Sequence, residues 1–190
     1  MFLQRERQQM VYTCVLGSIV LMLSGCNRPS WQGTLGDTLS EFGHRNWIVI
    51  ADSAYPKQSA PGLQTVATGK TQLEVLDLVL NAIETAPHVR AVVMLDKELE
   101  SVPEADAPGV AAYRTQLQRR LRGRDITVMP HEDIIDELDQ AAQTFNVLVL
   151  KSDMTIPYTS VFLQLDCGYW DTVKENRLRD TLARGGDPGE

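Results

Sequence analysis

Two imidazoles, a carboxylate and a phenol stand beside the apolar runs of this chain in a way that suits proton-transfer chemistry. His44 precedes the run Trp47 to Ala51 and Asp52 follows it. His131 comes directly after Val128-Met129-Pro130, and Tyr158 lies in Pro157-Tyr158-Thr159-Ser160, just before Val161 to Leu165. Histidine exchanges protons near neutral pH, because its unperturbed pKa is about 6.5. In parallel α/β sheets ligands bind beyond the carboxyl ends of strands, which is where Asp52 and His131 fall. His44 stands at the opposite end of its strand. It shares a pocket with Asp52 only if the preceding loop folds over, or if a neighbouring subunit brings the two together. The same residues also have ordinary readings: Asp52 capping a turn before Pro56, His131 capping a helix and Tyr158 packing at an interface. His88, beside Pro87 in a helix-to-strand turn, reads as a surface histidine.

The elements that position these groups follow from periodicity. Leu35, Leu39 and Phe42 recur at helical spacing, and Leu73 to Ile83 form a longer amphipathic helix ended by Pro87. Further helices are expected over Val110–Leu121 and His131–Thr144. Short, β-branched-rich runs mark five strands: Trp47–Ala51, Val89–Leu95, Asp125–Met129, Phe145–Leu150 and the run from Val161 to Leu165. The stretch through Pro56, Pro61 and Gly62 reads as a loop. Strands alternating with helices predict a single α/β domain with a largely parallel sheet flanked by helices. From Lys174 the chain reads as a charged helix or frayed tail, and 171–190 as a polar C-terminal tail.

The N-terminus carries an address. Arg5 and Arg7 precede the apolar stretch from Val11 to Leu23, which is too short to span a bilayer comfortably and suits a signal peptide over 1–25. Leu23-Ser24-Gly25-Cys26 has the pattern of a bacterial lipobox, in which Cys26 is acylated after cleavage. Residues 26–34 are then a lipidated tether and 35–170 the domain. A membrane-anchored envelope protein is expected, and Asn27 after the cysteine favours the outer membrane. Cys14 leaves with the leader, so Cys167 is alone in the mature chain and no intrachain disulfide forms. Cys167 reads as a buried small hydrophobe closing a strand. The sequence has no zinc-type ligand spacing, so no metal site is expected.

Without Arg5, Glu6 and Arg7 the 18 basic and 25 acidic residues fall to 16 and 24, a formal charge of −8. Such a domain is a poor match for nucleic acid. The basic residues between Arg114 and Arg124 read as a solvated helix face.

The order of these motifs resembles the D-ribose pyranase and L-fucose mutarotase family. Leu39, Gly43-His44, Ile48-Val49-Ile50-Ala51-Asp52 and Pro56 match its first signature. Gly69 to Val79 and the strand Val89–Leu95 match its middle. His131 matches the ribose-type branch, and Lys151 to Ser160 align with the C-terminal signature. The likeness runs from about Leu35 to Gly168. Lys151, Ser152 and Asp153 replace Arg, Gly and Glu of that signature, and Ser160 replaces an Asn. Serine supplies one rotatable hydroxyl where an amide supplies a donor and an acceptor.

The resemblance implies interconversion of monosaccharide anomers or ring forms by general acid/base catalysis, with no cofactor. It casts His44 as the principal acid/base, and Asp52 as the group that orients it or binds a sugar hydroxyl. His131 and Tyr158 would be donors holding the ring and its oxygen, and Ser160, Asp153 and Lys151 would be substrate contacts. It also implies a homo-oligomer with sites at subunit contacts. A non-catalytic monosaccharide-binding or structural envelope lipoprotein on the same fold is the alternative.

Overall fold

A computed structural model describes residues 30–185. The signal segment and Cys26 lie outside the described residues, as do the last five residues. The elements run α1 (Trp31–Glu41), β1 (Trp47–Ala51), β2 (Leu63–Ala67), α2 (Gln72–Glu84), β3 (Val89–Asp96) and a 3-10 turn (Lys97–Ser101). Then follow α3 (Val110–Arg120), β4 (Ile126–Met129), α4 (His131–Ala141), β5 (Val147–Lys151), β6 (Val161–Cys167) and α5 (Thr172–Ala183). Six strands form one sheet in the order β2-β5-β1-β6-β3-β4.

The register decides where the chemistry sits. β1 and β2 run parallel to β5, and β3 runs parallel to β4. β6 alone is reversed, antiparallel to both β1 and β3. Five strands therefore end, and β6 begins, on one rim of the sheet. That rim gathers Asp52, Asp96 and His131 with Tyr158 and Ser160, although they are spread over more than a hundred positions of sequence.

Both faces of the sheet are covered. β1 is buried at every position, the mark of a strand covered on two sides. Ile48 and Ile50, with Leu148, Leu150 and Leu163, pack against α1, α2 and α3. Trp47, Val49, Val147, Val149 and Phe162 face the other way, onto Ile134 and Leu138 of α4. Among the described residues no helix is long and apolar enough to cross a membrane.

Several expectations need correction. β2 falls in a stretch read as loop, because its residues are only partly covered and it pairs with β5 alone, at the sheet edge. Gly62 admits it there: a Cβ at that position would stand 2.8 Å from the Phe145 carbonyl oxygen. Helix α1 starts at Trp31, inside the stretch read as tether, because Ser30 caps it and the Trp31 ring is buried. His88 is half-buried instead of exposed, its Nε2 lying 3.1 Å from both the Leu39 and Phe42 carbonyls at the end of α1. The arginines of the α3 region are not simply solvated. Arg120 pairs with Asp77 at 2.9 Å, Arg124 pairs with Glu84, and both tie this region to α2. Cys167 closes β6 as expected, but it is half-buried instead of buried, with a free thiol.

Candidate active site

Asp96 ends β3 with its side chain sealed from solvent, at 0% exposure. Burial pushes its carboxyl above the ordinary range, and the hydrogen bond and charge of His131 only partly oppose this. Its Oδ1 lies 3.0 Å from His131 Nδ1. With that nitrogen donating to the carboxylate, Nε2 is the one left to exchange a proton, so the pair fixes both the tautomer and the tilt of the ring. Asp96 Oδ2 has no hydrogen-bond partner among the described residues.

His131 reaches this position because Pro130 ends β4 and α4 starts at once. No side chain of the neighbouring loop caps that helix. Instead Glu98, from the 3-10 turn, accepts from the His131 backbone N–H at 3.0 and 3.2 Å. A carboxylate at a helix N-terminus complements the helix dipole.

Tyr158 meets His131 edge to face, with centroids 5.7 Å apart and planes at 78°. Its backbone is left-handed, at φ 57°. A bulky residue held there is uncommon, and such strain gathers at functional sites. The segment leading to it is fixed from behind. Gln72, wholly buried at the start of α2, donates from Nε2 to the Ile50 carbonyl at 2.9 Å and the Thr159 carbonyl at 2.7 Å. Its Oε1 lies 2.5 Å from the Ser152 hydroxyl, which donates to it. The Tyr113 hydroxyl also donates to Thr159 O, at 2.8 Å. One buried amide thus ties the ends of β1 and β5 to the start of β6.

Asp52 takes the turn-capping role the sequence offered. Its Oδ1 accepts from the Ala54 N–H at 2.8 Å, so it does cap a turn. It also lines a cavity of about 520 Å³ together with Asp96, His131, Tyr158 and Tyr55. That volume falls in the range of small-molecule sites. Among the described residues the buried Tyr55 hydroxyl has no hydrogen-bond partner, and burial, with Asp139, Asp96 and Asp52 nearby, pushes its pKa far up.

Other expected site residues are elsewhere. His44 precedes the opposite end of β1, about 17 Å of strand away from Asp52. It lines shallow cavities with Arg45 and Asp166 on one side and His88 and Cys167 on the other. Lys151, Asp153 and Ser160 do not line the 520 Å³ cavity. The Lys151 ammonium donates to the Tyr55 carbonyl at 2.5 Å and so buttresses the loop after β1. Asp153 is exposed, its backbone N–H bonded to Lys70 O, and Ser160 is 2% exposed within the packed start of β6. Asp96 and Tyr55 were not anticipated. Asp96 ends an apolar strand as Asp52 does, which is the signal that could have singled it out; Tyr55 carries no comparable mark.

The profile of the RbsD/FucU transport protein family matches residues 29–167. The chain belongs to that family. No curated protein sequence matches it. Among solved structures, RbsD of Bacillus subtilis complexed with D-ribose aligns over 70% of this chain and 91% of its own. The identity is 17% and the TM-score 0.51, so the likeness is one of fold. The fucose mutarotase of Streptococcus pneumoniae in complex with L-fucose is 24% identical over 68% of this chain and 89% of its own, at a TM-score of 0.46. FucU of Bifidobacterium longum is 22% identical over 70% and 92%, at 0.48. In this RbsD/FucU member the matched region ends with β6, so α5 lies beyond it.

Proposed function

We propose that this RbsD/FucU-family protein interconverts the anomers or ring forms of a monosaccharide by general acid/base catalysis. The observation that carries the reading is the buried Asp96–His131 pair facing, with Asp52 and Tyr158, a cavity of sugar-binding size. The D-ribose bound by the structurally similar RbsD of Bacillus subtilis supports the same class of substrate.

The reaction needs little machinery. The anomeric O–H gives up its proton as the bond from C1 to the ring oxygen breaks, a carbonyl forms at C1, and the ring oxygen takes a proton. Rotation about the C1–C2 bond and reclosure give the other anomer, and closure by a different hydroxyl gives the other ring size. His131, with Nδ1 committed to Asp96, offers Nε2 as the base, and Asp96 stabilises the imidazolium that results. Tyr158 donates to the ring oxygen, a role supported by its place on the cavity lining beside His131. Asp52 keeps one oxygen for its turn and offers the other to a sugar hydroxyl. His44 serves as a second acid/base in a homo-oligomer, presented to this rim by a neighbouring copy. The Leu23-Ser24-Gly25-Cys26 sequence supports attachment of the domain to the bacterial envelope through a lipid on Cys26.

A non-catalytic sugar-binding lipoprotein is the second reading, favoured by the distance between His44 and the cavity within one chain. Magnetisation-transfer NMR on the full-length protein separates the two. Faster exchange between forms of ribose, fucose, glucose or galactose is the expected result. Binding without acceleration of any of them would leave only the second reading.

A further inference from the structure

A second cavity adjoins the first. It measures about 510 Å³ and is lined, like the first, by Pro157 and Tyr158, so these two residues form a ridge between the two spaces. Tyr158 is 39% exposed, which leaves the crest of that ridge open to a ligand passing over it. A hydrogen bond joins the two walls as well. Glu98 lines the second cavity, and its carboxylate accepts from the backbone N–H of His131, which lines the first. Behind the ridge, the Thr159 carbonyl accepts from both Gln72 and Tyr113, so the segment that carries Tyr158 is held in place.

The lining of the second cavity is mixed in a way that suits a sugar ring. Pro103, Pro157 and Tyr158 give it apolar surface for the C–H face of a pyranose. Around them, the Lys97 ammonium donates, the Asp106 and Glu98 carboxylates accept and the Ser101 hydroxyl does both. Neutral hydroxyls, each a donor and an acceptor, match that mixture. An anionic unit would meet two carboxylates against one ammonium. A hydrocarbon group would desolvate these charges without replacing their hydrogen bonds. Either cavity alone falls in the size range of small-molecule sites, so a monosaccharide reacting beside His131 has no use for the second.

We propose that the second cavity holds the neighbouring unit of a reducing disaccharide whose reducing unit opens and closes in the first. This rests on the mutarotase reading of the site and names its substrate class. The glycosidic link crosses the ridge at Pro157 and Tyr158, and the reducing end keeps its free anomeric hydroxyl beside His131. No bond between the two units is made or broken, and only the hemiacetal of the reducing unit turns over.

The test titrates the full-length protein with maltose, cellobiose, isomaltose, lactose and glucose, reading affinity by calorimetry and exchange at the reducing end by magnetisation-transfer NMR. At least one disaccharide is expected to bind about tenfold more tightly than glucose, a gap of about 1.4 kcal/mol. Ser101→Trp, a substitution at an exposed position that fills the second cavity, should bring that disaccharide down to the level of glucose. Lys97→Ala, which removes a donor from the same wall, should cut its advantage severalfold. Disaccharides that bind no better than glucose would overturn the proposal, as would an advantage that survives both substitutions. Dissociation of an oligomer by Ser101→Trp would overturn it too, because the cavity would then receive a second copy of the chain. If glucose exchanges faster than in buffer but no disaccharide gains affinity, this inference fails while the mutarotase reading stands. If a disaccharide gains affinity and no sugar is exchanged, the second subsite holds and the catalytic reading fails.

Discussion

Asp96 Oδ1 and His131 Nδ1 stand 3.0 Å apart although 35 residues separate them, and the carboxylate of this pair is the side chain sealed from solvent. The histidine is 28% exposed at its side chain, so one member of the pair holds and the other meets the cavity. This is the division of labour expected of an oriented acid/base.

The pair predicts a pH signature in stability. Desolvation raises the Asp96 carboxyl above its ordinary 3.8, so in the window above that value the folded state binds a proton that the unfolded state has lost. Stability from this group is therefore greatest below the window and declines as pH rises through it. Asn cannot titrate. Thermal unfolding at pH 4 and pH 7 should show wild type losing ground to Asp96→Asn as the pH rises. A gap that widens in favour of wild type would contradict the burial argument.

Gln72 predicts a large stability effect from a residue that does not line the cavity. Gln72→Ala removes one of the two acceptors of the Ser152 hydroxyl, which keeps the Ala51 carbonyl, and takes the amide donor away from the Ile50 and Thr159 carbonyls, all inside the core. Unsatisfied buried groups cost about 1–3 kcal/mol each, with partial relief where another donor remains, as Tyr113 does for Thr159. Urea denaturation should give a loss of about 2–4 kcal/mol. A loss below about 0.5 kcal/mol, within the range of ordinary surface substitutions, would mean the amide does not tie the strand ends.

At Tyr158 stability and activity should part company. Glycine adopts φ 57° freely, whereas a bulky side chain there costs on the order of 1 kcal/mol or more. Tyr158→Gly should keep or raise the melting temperature while sugar exchange falls by at least about tenfold. Parallel losses of both would make Tyr158 a packing residue.

His44 offers a test of shared sites. If neighbouring copies bring His44 to the rim, His44→Ala and His131→Ala oligomers should each be inactive. Subunits mixed after dissociation should then recover part of the activity, because some interfaces pair two intact halves. No recovery from a demonstrated hetero-oligomer would confine the chemistry to a single chain.

Much of this fold is legible in the sequence because its central strands are buried on both faces. Trp47–Ala51 and Val147–Leu150 read as uninterrupted apolar runs, and the helices between them have clear periodicity. β2 is not legible: an edge strand with polar Gln64 and Thr65 looks like the loop around it. The rim position of Asp52, His131 and Tyr158 follows from strand-end logic once β6 is known to be reversed, and nothing local to β6 announces its direction. Lys151 and Ser160 show the limit of motif alignment. Their positions match the family signature, but Lys151 is occupied by the Tyr55 carbonyl and Ser160 is packed away, contacts made across the sheet that no linear motif records. Asp96 was missed because its role depends on a partner 35 residues away.

The central claim is that the Asp96–His131 rim opens and closes sugar rings. Its most direct test is the exchange rate between anomers or ring forms of ribose, fucose, glucose and galactose, followed by magnetisation-transfer NMR with full-length wild type and His131→Ala at equal oligomer concentration. The account predicts acceleration by wild type for at least one sugar and a fall of about 100-fold or more in His131→Ala, in line with the loss of a general acid/base. Exchange that is equally fast in the variant, or no faster than buffer with wild type, would contradict it.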